Sequence, residues 1–89
     1  MDDHQVVFSR SARKELDLLP IRLAERVLRR IERLSVTPRP RGCRRLSGTE
    51  DLCRIRVGDL RVLYAIDDAR RLVDVIAVRD RRDVYRLGS

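Results

Sequence analysis

Hydrophobic spacing along the chain changes period where the elements change. Gln5–Phe8 is a short, β-branched apolar run and predicts a first strand. Beyond it apolar residues recur every three or four positions: Ala12, Leu16 and Leu19, then Ala24, Val27, Leu28, Ile31 and Leu34. This spacing predicts two amphipathic helices, at roughly Ser11–Leu19 and Ile21–Ser35. Ser9 or Ser11 is placed to cap the first, and Leu19-Pro20 separates the two. The segment Thr37-Pro-Arg-Pro-Arg-Gly42 breaks the helical pattern. From there the period is two, with a brief strand at Cys43–Leu46 and longer ones at Leu52–Val57, Leu60–Asp67 and Leu72–Val78. Gly58-Asp59 and Asp67–Arg71 are hairpin connections. Leu60–Ile66 and Leu72–Val78 are apolar on both faces, as central strands are. The order βααββββ predicts an α+β fold in one domain, residues 1–89. An antiparallel-rich sheet of about four to five strands would carry a two-helix hairpin packed on one face.

The alternation in Leu52–Val57 carries chemistry. Cys53, Ile55 and Val57 point one way, so Arg54 and Arg56 point the other. After the Gly58-Asp59 turn the returning strand adds Arg61. Three guanidiniums on one hairpin suit a polyanion, most simply a phosphate backbone. Charge supports this reading through its placement. The 89 residues carry a net charge of +7, and Lys14 is the only lysine. Between Pro38 and Ile66 seven arginines face three acids, whereas the helical first third is nearly balanced. Arginine offers a planar fork of donors that matches phosphate oxygens. Aromatic residues are scarce, so few platforms exist for stacking bases.

Other chemistries find little support. Cys43 and Cys53 lack metal-site spacing. If Gly48–Asp51 turns, Cys53 pairs near Leu46 and Cys43 lies about three positions away, too far for a disulfide. Two reduced thiols are expected, with Cys53 in the core. His4 sits in a polar N-terminal segment expected to be disordered, which leaves no histidine for a Ser-His-Asp or Cys-His arrangement. Asp67-Asp68 reads as a turn, Tyr64 as a core residue with its hydroxyl at the edge, and neither a metal nor a cofactor is expected. No segment is apolar enough to span a membrane, and the acidic N-terminus is unlike a secretion signal. A cytoplasmic location is expected.

The run Leu46-Ser-Gly, then Arg54-Ile-Arg-Val-Gly-Asp-Leu-Arg-Val-Leu-Tyr64, then Val78-Arg-Asp-Arg-Arg-Asp-Val-Tyr-Arg86, resembles the RelE branch of the RelE/ParE toxin superfamily. The resemblance extends over almost the whole chain. It implies a toxin of a bacterial or archaeal toxin–antitoxin pair; the RelE branch cuts mRNA in the ribosomal A site, and the ParE branch poisons DNA gyrase. By position it implies that Arg54 and Arg56 contact mRNA phosphates and that Arg61 stabilises the charged phosphorane. Arg81 would stand near the leaving oxygen as an acid, and Tyr85 would stack on or orient the cleaved nucleotide. The catalytic set is then Arg61, Arg81, Tyr85 and Arg56, and the RNA-binding set Arg54, Arg56, Arg44 and Arg45. The implied reaction is metal-free attack of a ribose 2′-OH on the adjacent phosphate. Because an arginine pKa lies above about 12, Arg56 serves as an electrostatic clamp and not as a base. Asp80 stands where relatives carry a basic or titratable residue, and Leu60 where a tyrosine is usual. Without the resemblance, Tyr85 is equally well read as a packing anchor.

Three functions follow. The first is a ribosome-dependent mRNA endonuclease, favoured by the intact arginine and tyrosine set. The second is a non-enzymatic inhibitor of gyrase. The third is a general nucleic-acid-binding module, or a degenerate toxin that only binds its antitoxin. The implied partners are a cognate antitoxin in a hetero-oligomer, the ribosome and mRNA, with no membrane.

Overall fold

A computed structural model of the chain describes residues 3–45 and 52–80. The elements in chain order are β1 (Gln5–Phe8), α1 (Arg10–Asp17), α2 (Ile21–Arg33), β2 (Arg44–Arg45), β3 (Leu52–Val57), β4 (Leu60–Asp67) and β5 (Leu72–Asp80). They build one five-stranded sheet in the order β1-β5-β4-β3-β2. The helices carry the chain from the β1 edge to the β2 edge, and three antiparallel steps bring it back. β5 then lies beside β1 and runs parallel to it, Gln5 opposite Leu72 through Phe8 opposite Val75. The sheet is therefore mixed, with a single parallel pair at one edge and antiparallel pairs elsewhere.

Ser9 starts α1. Its Oγ accepts from the Ala12 amide at 3.0 Å and donates to the Ile76 carbonyl at 2.7 Å. One hydroxyl thus caps the helix and fastens it to β5. Both helices end earlier than the apolar spacing suggests, α1 at Asp17 and α2 at Arg33. The residues that follow α2 continue in tighter bonding: the Leu34, Ser35 and Val36 amides each reach back three residues. These frayed turns keep the helical side-chain spacing without being α-helix.

The core lies between the helices and one face of the sheet. Ala12 and Leu16 of α1, together with Val27 and Ile31 of α2 and Leu34 just past its end, pack on Cys53, Ile55, Val57, Leu60, Val62, Tyr64, Ile66, Val73, Val75 and Val78. Leu28, which the spacing placed in this stripe, stands 36% exposed, and Leu23 packs against the core instead. Leu23, Val27, Ile31 and Leu34 form a continuous ridge along the helix; Leu28 is rotated off it.

The two-sided apolar character of β5 has a specific cause. Its register on β4 slips from Leu63 opposite Ala77 to Tyr64 opposite Val75, leaving Ile76 as the extra residue. This bulge lets Ala77 and Val78 both be buried. β4 itself alternates: Leu60, Val62, Tyr64 and Ile66 are buried, and Arg61, Leu63, Ala65 and Asp67 are half-buried on the opposite face.

Three local expectations need correction or refinement. His4 is not a free end. Its amide donates to the Ser35 carbonyl at 2.7 Å, and its Nε2 lies 3.1 Å from Asp68 Oδ1. Arg39 Nη2 joins the same carboxylate at 3.0 Å. Hydrogen bonds from Arg39 and then His4 hold the Asp68 carboxyl below the usual carboxylate range. Cys53 pairs with Arg45, next to the expected position; Leu46 itself and the expected Gly48–Asp51 turn lie outside the described residues. This register lets Cys43 pack against the core while Arg44 stays exposed. Neither thiol is in a disulfide. Tyr64 is fully buried, and its hydroxyl donates to the Pro38 carbonyl at 2.7 Å. Burial first, then the nearby Cys43 and Cys53, push its phenol above the ordinary tyrosine range.

Candidate nucleic-acid interface

The face of the sheet turned away from the helices carries the arginines. β3 is straight and alternating, so Cys53, Ile55 and Val57 enter the core while Arg54 and Arg56 stay outside it. The β3–β4 connection is a two-residue turn with Gly58 at φ +61, the only residue of that turn with positive φ. That is the requirement of a type II′ turn, whose first central position favours glycine. The turn fixes the register, Val57 opposite Leu60 and Arg56 opposite Arg61. Since Val57 and Leu60 close the turn, the next pair is of the non-hydrogen-bonded kind, in which side chains stand closest.

On the other side of β3, Arg44 of β2 is directly opposite Arg54. The result is a cleft of about 380 Å³ lined by Gly42, Arg44, Arg54, Arg56 and Arg61. Among the described residues no acid lines it, and no salt bridge involves these four arginines. Like charges placed opposite one another on a sheet are destabilising. Arg54 registers this: burial first, then Arg61, Arg44 and Arg56, lower its pKa from the ordinary arginine value. Four guanidiniums held together with no carboxylate among the described lining residues make a site prepared for an external anion.

The structure brings together Arg44, Arg54, Arg56 and Arg61 of the residues singled out in the sequence. Arg45 is opposite Cys53 in the backbone register, one step out of line with the arginine row. Arg81 and Tyr85 lie outside the described residues. Asp80 is opposite Leu60 at the end of β5.

A further arginine was not anticipated. Arg79 pairs with Arg61 across β4 and β5, which extends the row to Arg56, Arg61, Arg79. Its Nε, however, donates to Glu15 Oε2 at 3.0 Å, and the other oxygen of Glu15 accepts from the Val78 amide at 3.1 Å. β1 pairs with β5 only as far as Val75, so beyond it the β5 edge has no strand partner among the described residues. α1 covers that edge, with Ser9 on the Ile76 carbonyl and Glu15 on the Val78 amide. Glu15 therefore does two things: it satisfies an edge amide and compensates the charge of Arg79. Only the continuation of the strand past Val78 could have suggested this in the sequence. Among the described residues no three of His, Cys, Asp and Glu come together, and no helix is long and apolar enough to cross a membrane.

A small α+β domain with a helical hairpin on one face of a mixed sheet and an arginine cleft on the other defines a class that comparison with known proteins makes specific. The family described as ParE toxin of type II toxin–antitoxin system, parDE, matches residues 6–85. The chain belongs to this family, within the RelE/ParE superfamily of toxins. Among solved structures it is similar to the toxin–antitoxin complex RelBE2 from Mycobacterium tuberculosis, with 31% identity and a TM-score of 0.77 over 88% of this chain and 98% of that one. It is also similar to the archaeal RelE–RelB complex from Pyrococcus horikoshii OT3, with 28% identity and a TM-score of 0.80 over 89% of this chain and 96% of that one. The isolated E. coli RelE toxin shares the fold, with 22% identity and a TM-score of 0.77 over 94% of this chain and 98% of that one. No curated protein sequence matches the chain.

Proposed function

We propose that this toxin cleaves mRNA on the ribosome. The observation that carries the reading is the cleft of Arg44, Arg54, Arg56 and Arg61, with no carboxylate among the described residues that line it, on the face the helices leave uncovered. In the reaction a ribose 2′-oxygen attacks the adjacent phosphorus and loses its proton. The bond from phosphorus to the 5′-oxygen breaks, and that oxygen takes up a proton. The products are a 2′,3′-cyclic phosphate and a 5′-hydroxyl. Arg56 and Arg61, side by side, would neutralise the two non-bridging oxygens as charge builds on the phosphorane, a contribution largest where donors are fixed in advance. Arg81 would serve the leaving oxygen and Tyr85 the nucleotide, as the resemblance to RelE implies. Arginines near neutrality are poor proton acceptors, so the base is supplied by the ribosome, Tyr85 or Asp80. Free RNA should therefore be cut far more slowly than ribosome-bound message. Primer extension on both substrates tests this, and equal cutting of the two would refute it.

The chain's partner would be an antitoxin, as the matching RelE–RelB complexes suggest; a segment that folds on binding would suit the basic face of the sheet. The family match to ParE favours a second reading, inhibition of gyrase without RNA chemistry. A supercoiling assay with purified gyrase separates the two. A chain inactive in both assays that still binds its antitoxin would be the degenerate toxin.

A further inference from the structure

We propose that the cleft is a two-phosphate site, in which Arg56 and Arg61 clamp one phosphodiester and Arg44 and Arg54 clamp the next one along the strand. This rests on the nucleic-acid reading of the cleft and divides it into two subsites.

The division follows from the register. The four arginines are two directly opposed pairs, Arg56 with Arg61 across β3 and β4, and Arg44 with Arg54 across β2 and β3. Arg54 and Arg56 are two residues apart on β3, so the pairs are separated by about 7 Å along the strand direction. A phosphodiester has two non-bridging oxygens, and each guanidinium presents two parallel donors. Two guanidiniums saturate one such group. Four guanidiniums on a single phosphodiester would leave donors unused and most of their charge uncompensated. Two successive phosphodiesters occupy both pairs and bring two negative charges.

Gly42 is the other described residue that lines the cleft. Its φ of +93 requires glycine, and open space lies where a Cβ would be. At Gly42 the wall is therefore backbone, which brings no side chain of its own into the second subsite. The cleft volume of about 380 Å³ extends over both pairs.

The test uses the whole chain and short ligands that cannot be cleaved. One is a 2′-O-methyl dinucleotide with a single phosphodiester. The others are the same dinucleotide with a 5′- or a 3′-terminal phosphate, which adds a second phosphoryl group and no base. Affinities are read by NMR titration at fixed low salt. A second phosphate held by its own pair strengthens binding by about tenfold or more for at least one of the two ends. In the Arg44→Gln/Arg54→Gln protein, checked for folding by circular dichroism, the dinucleotide with and without a terminal phosphate should bind equally. Arg56→Gln/Arg61→Gln should abolish the difference in the same way. Equal affinities for all three ligands in the unmodified protein would overturn the proposal, with no variant needed. So would an Arg44→Gln/Arg54→Gln protein that keeps the full difference. In the unmodified protein, equal affinities alongside intact ribosomal cleavage would refute the two subsites alone. The difference retained without ribosomal cleavage would refute only the proposed activity.

Discussion

Replacing Glu15 should destabilise the chain more than a half-exposed acid normally does. Its carboxylate accepts from the Val78 amide at 3.1 Å and from Arg79 Nε at 3.0 Å. Val78 is buried, so Glu15→Ala leaves its amide without an acceptor, at a cost of about 1–3 kcal/mol. The ion pair adds less. The Glu15 and Arg79 side chains are 27% and 31% exposed, so solvent screening holds that part to about 1 kcal/mol or below. Together Glu15→Ala should lower stability by about 2–3 kcal/mol. In a domain of this size that is a fall of about 10 °C or more in Tm. Glu15→Gln keeps an acceptor for Val78 and loses only the partly exposed contact with Arg79, which an amide nitrogen cannot accept, so it should cost about 1 kcal/mol or less. Urea denaturation followed by circular dichroism measures both. Equal losses for the two variants, or a loss below about 0.5 kcal/mol for alanine, would refute the claim that α1 holds the free edge of β5 through this side chain.

Two further outcomes are expected. Tyr64→Phe removes a buried hydroxyl bonded to the Pro38 carbonyl and should cost about 1–2 kcal/mol at neutral pH, measured by urea denaturation. Because the Tyr64 phenol is raised in the folded state, the unfolded chain releases its proton first. Stability should therefore fall as pH rises above about 10, and Tyr64→Phe should lessen that fall. Arg54→Gln relieves repulsion from Arg61, Arg44 and Arg56 and should stabilise the fold by about 0.5 kcal/mol at low salt while weakening RNA binding; denaturation at low and high salt should show the gain shrinking as salt rises.

The elements were legible where one side-chain period held without interruption. Gln5–Phe8, Leu52–Val57 and Leu60–Asp67 have the bounds that the apolar pattern gave. The open arginine face followed from the alternation in β3 alone. What the pattern did not show were features that depend on contacts between distant segments. The parallel pairing of β1 with β5 is a property of the path taken by the chain, and four apolar residues look the same in either direction. The bulge at Ile76 imitates a strand that is apolar on both faces, because it moves the alternation by one position. His4 looked unattached because its partners are Ser35 and Asp68, far along the chain. The candidate site divided in the same manner. Arg54, Arg56 and Arg61 are linked by one hairpin and were readable from local geometry, whereas the contribution of Arg44 depends on the register of a two-residue edge strand. Glu15 was obscured by its position on a helix, where it resembled an ordinary solvated charge.

The most direct test of the account is the cleavage rate of ribosome-bound mRNA by the unmodified toxin and by Arg61→Ala, followed by primer extension under single-turnover conditions. Arg61 lines the cleft opposite Arg56, so losing it removes one fixed donor from the phosphorane and should slow cutting by about 10²–10³ with the fold intact. Equal rates for the two proteins would contradict the assignment of the arginine cleft as the reacting site, and intact message alongside inhibited gyrase supercoiling would transfer the chain to the non-enzymatic reading.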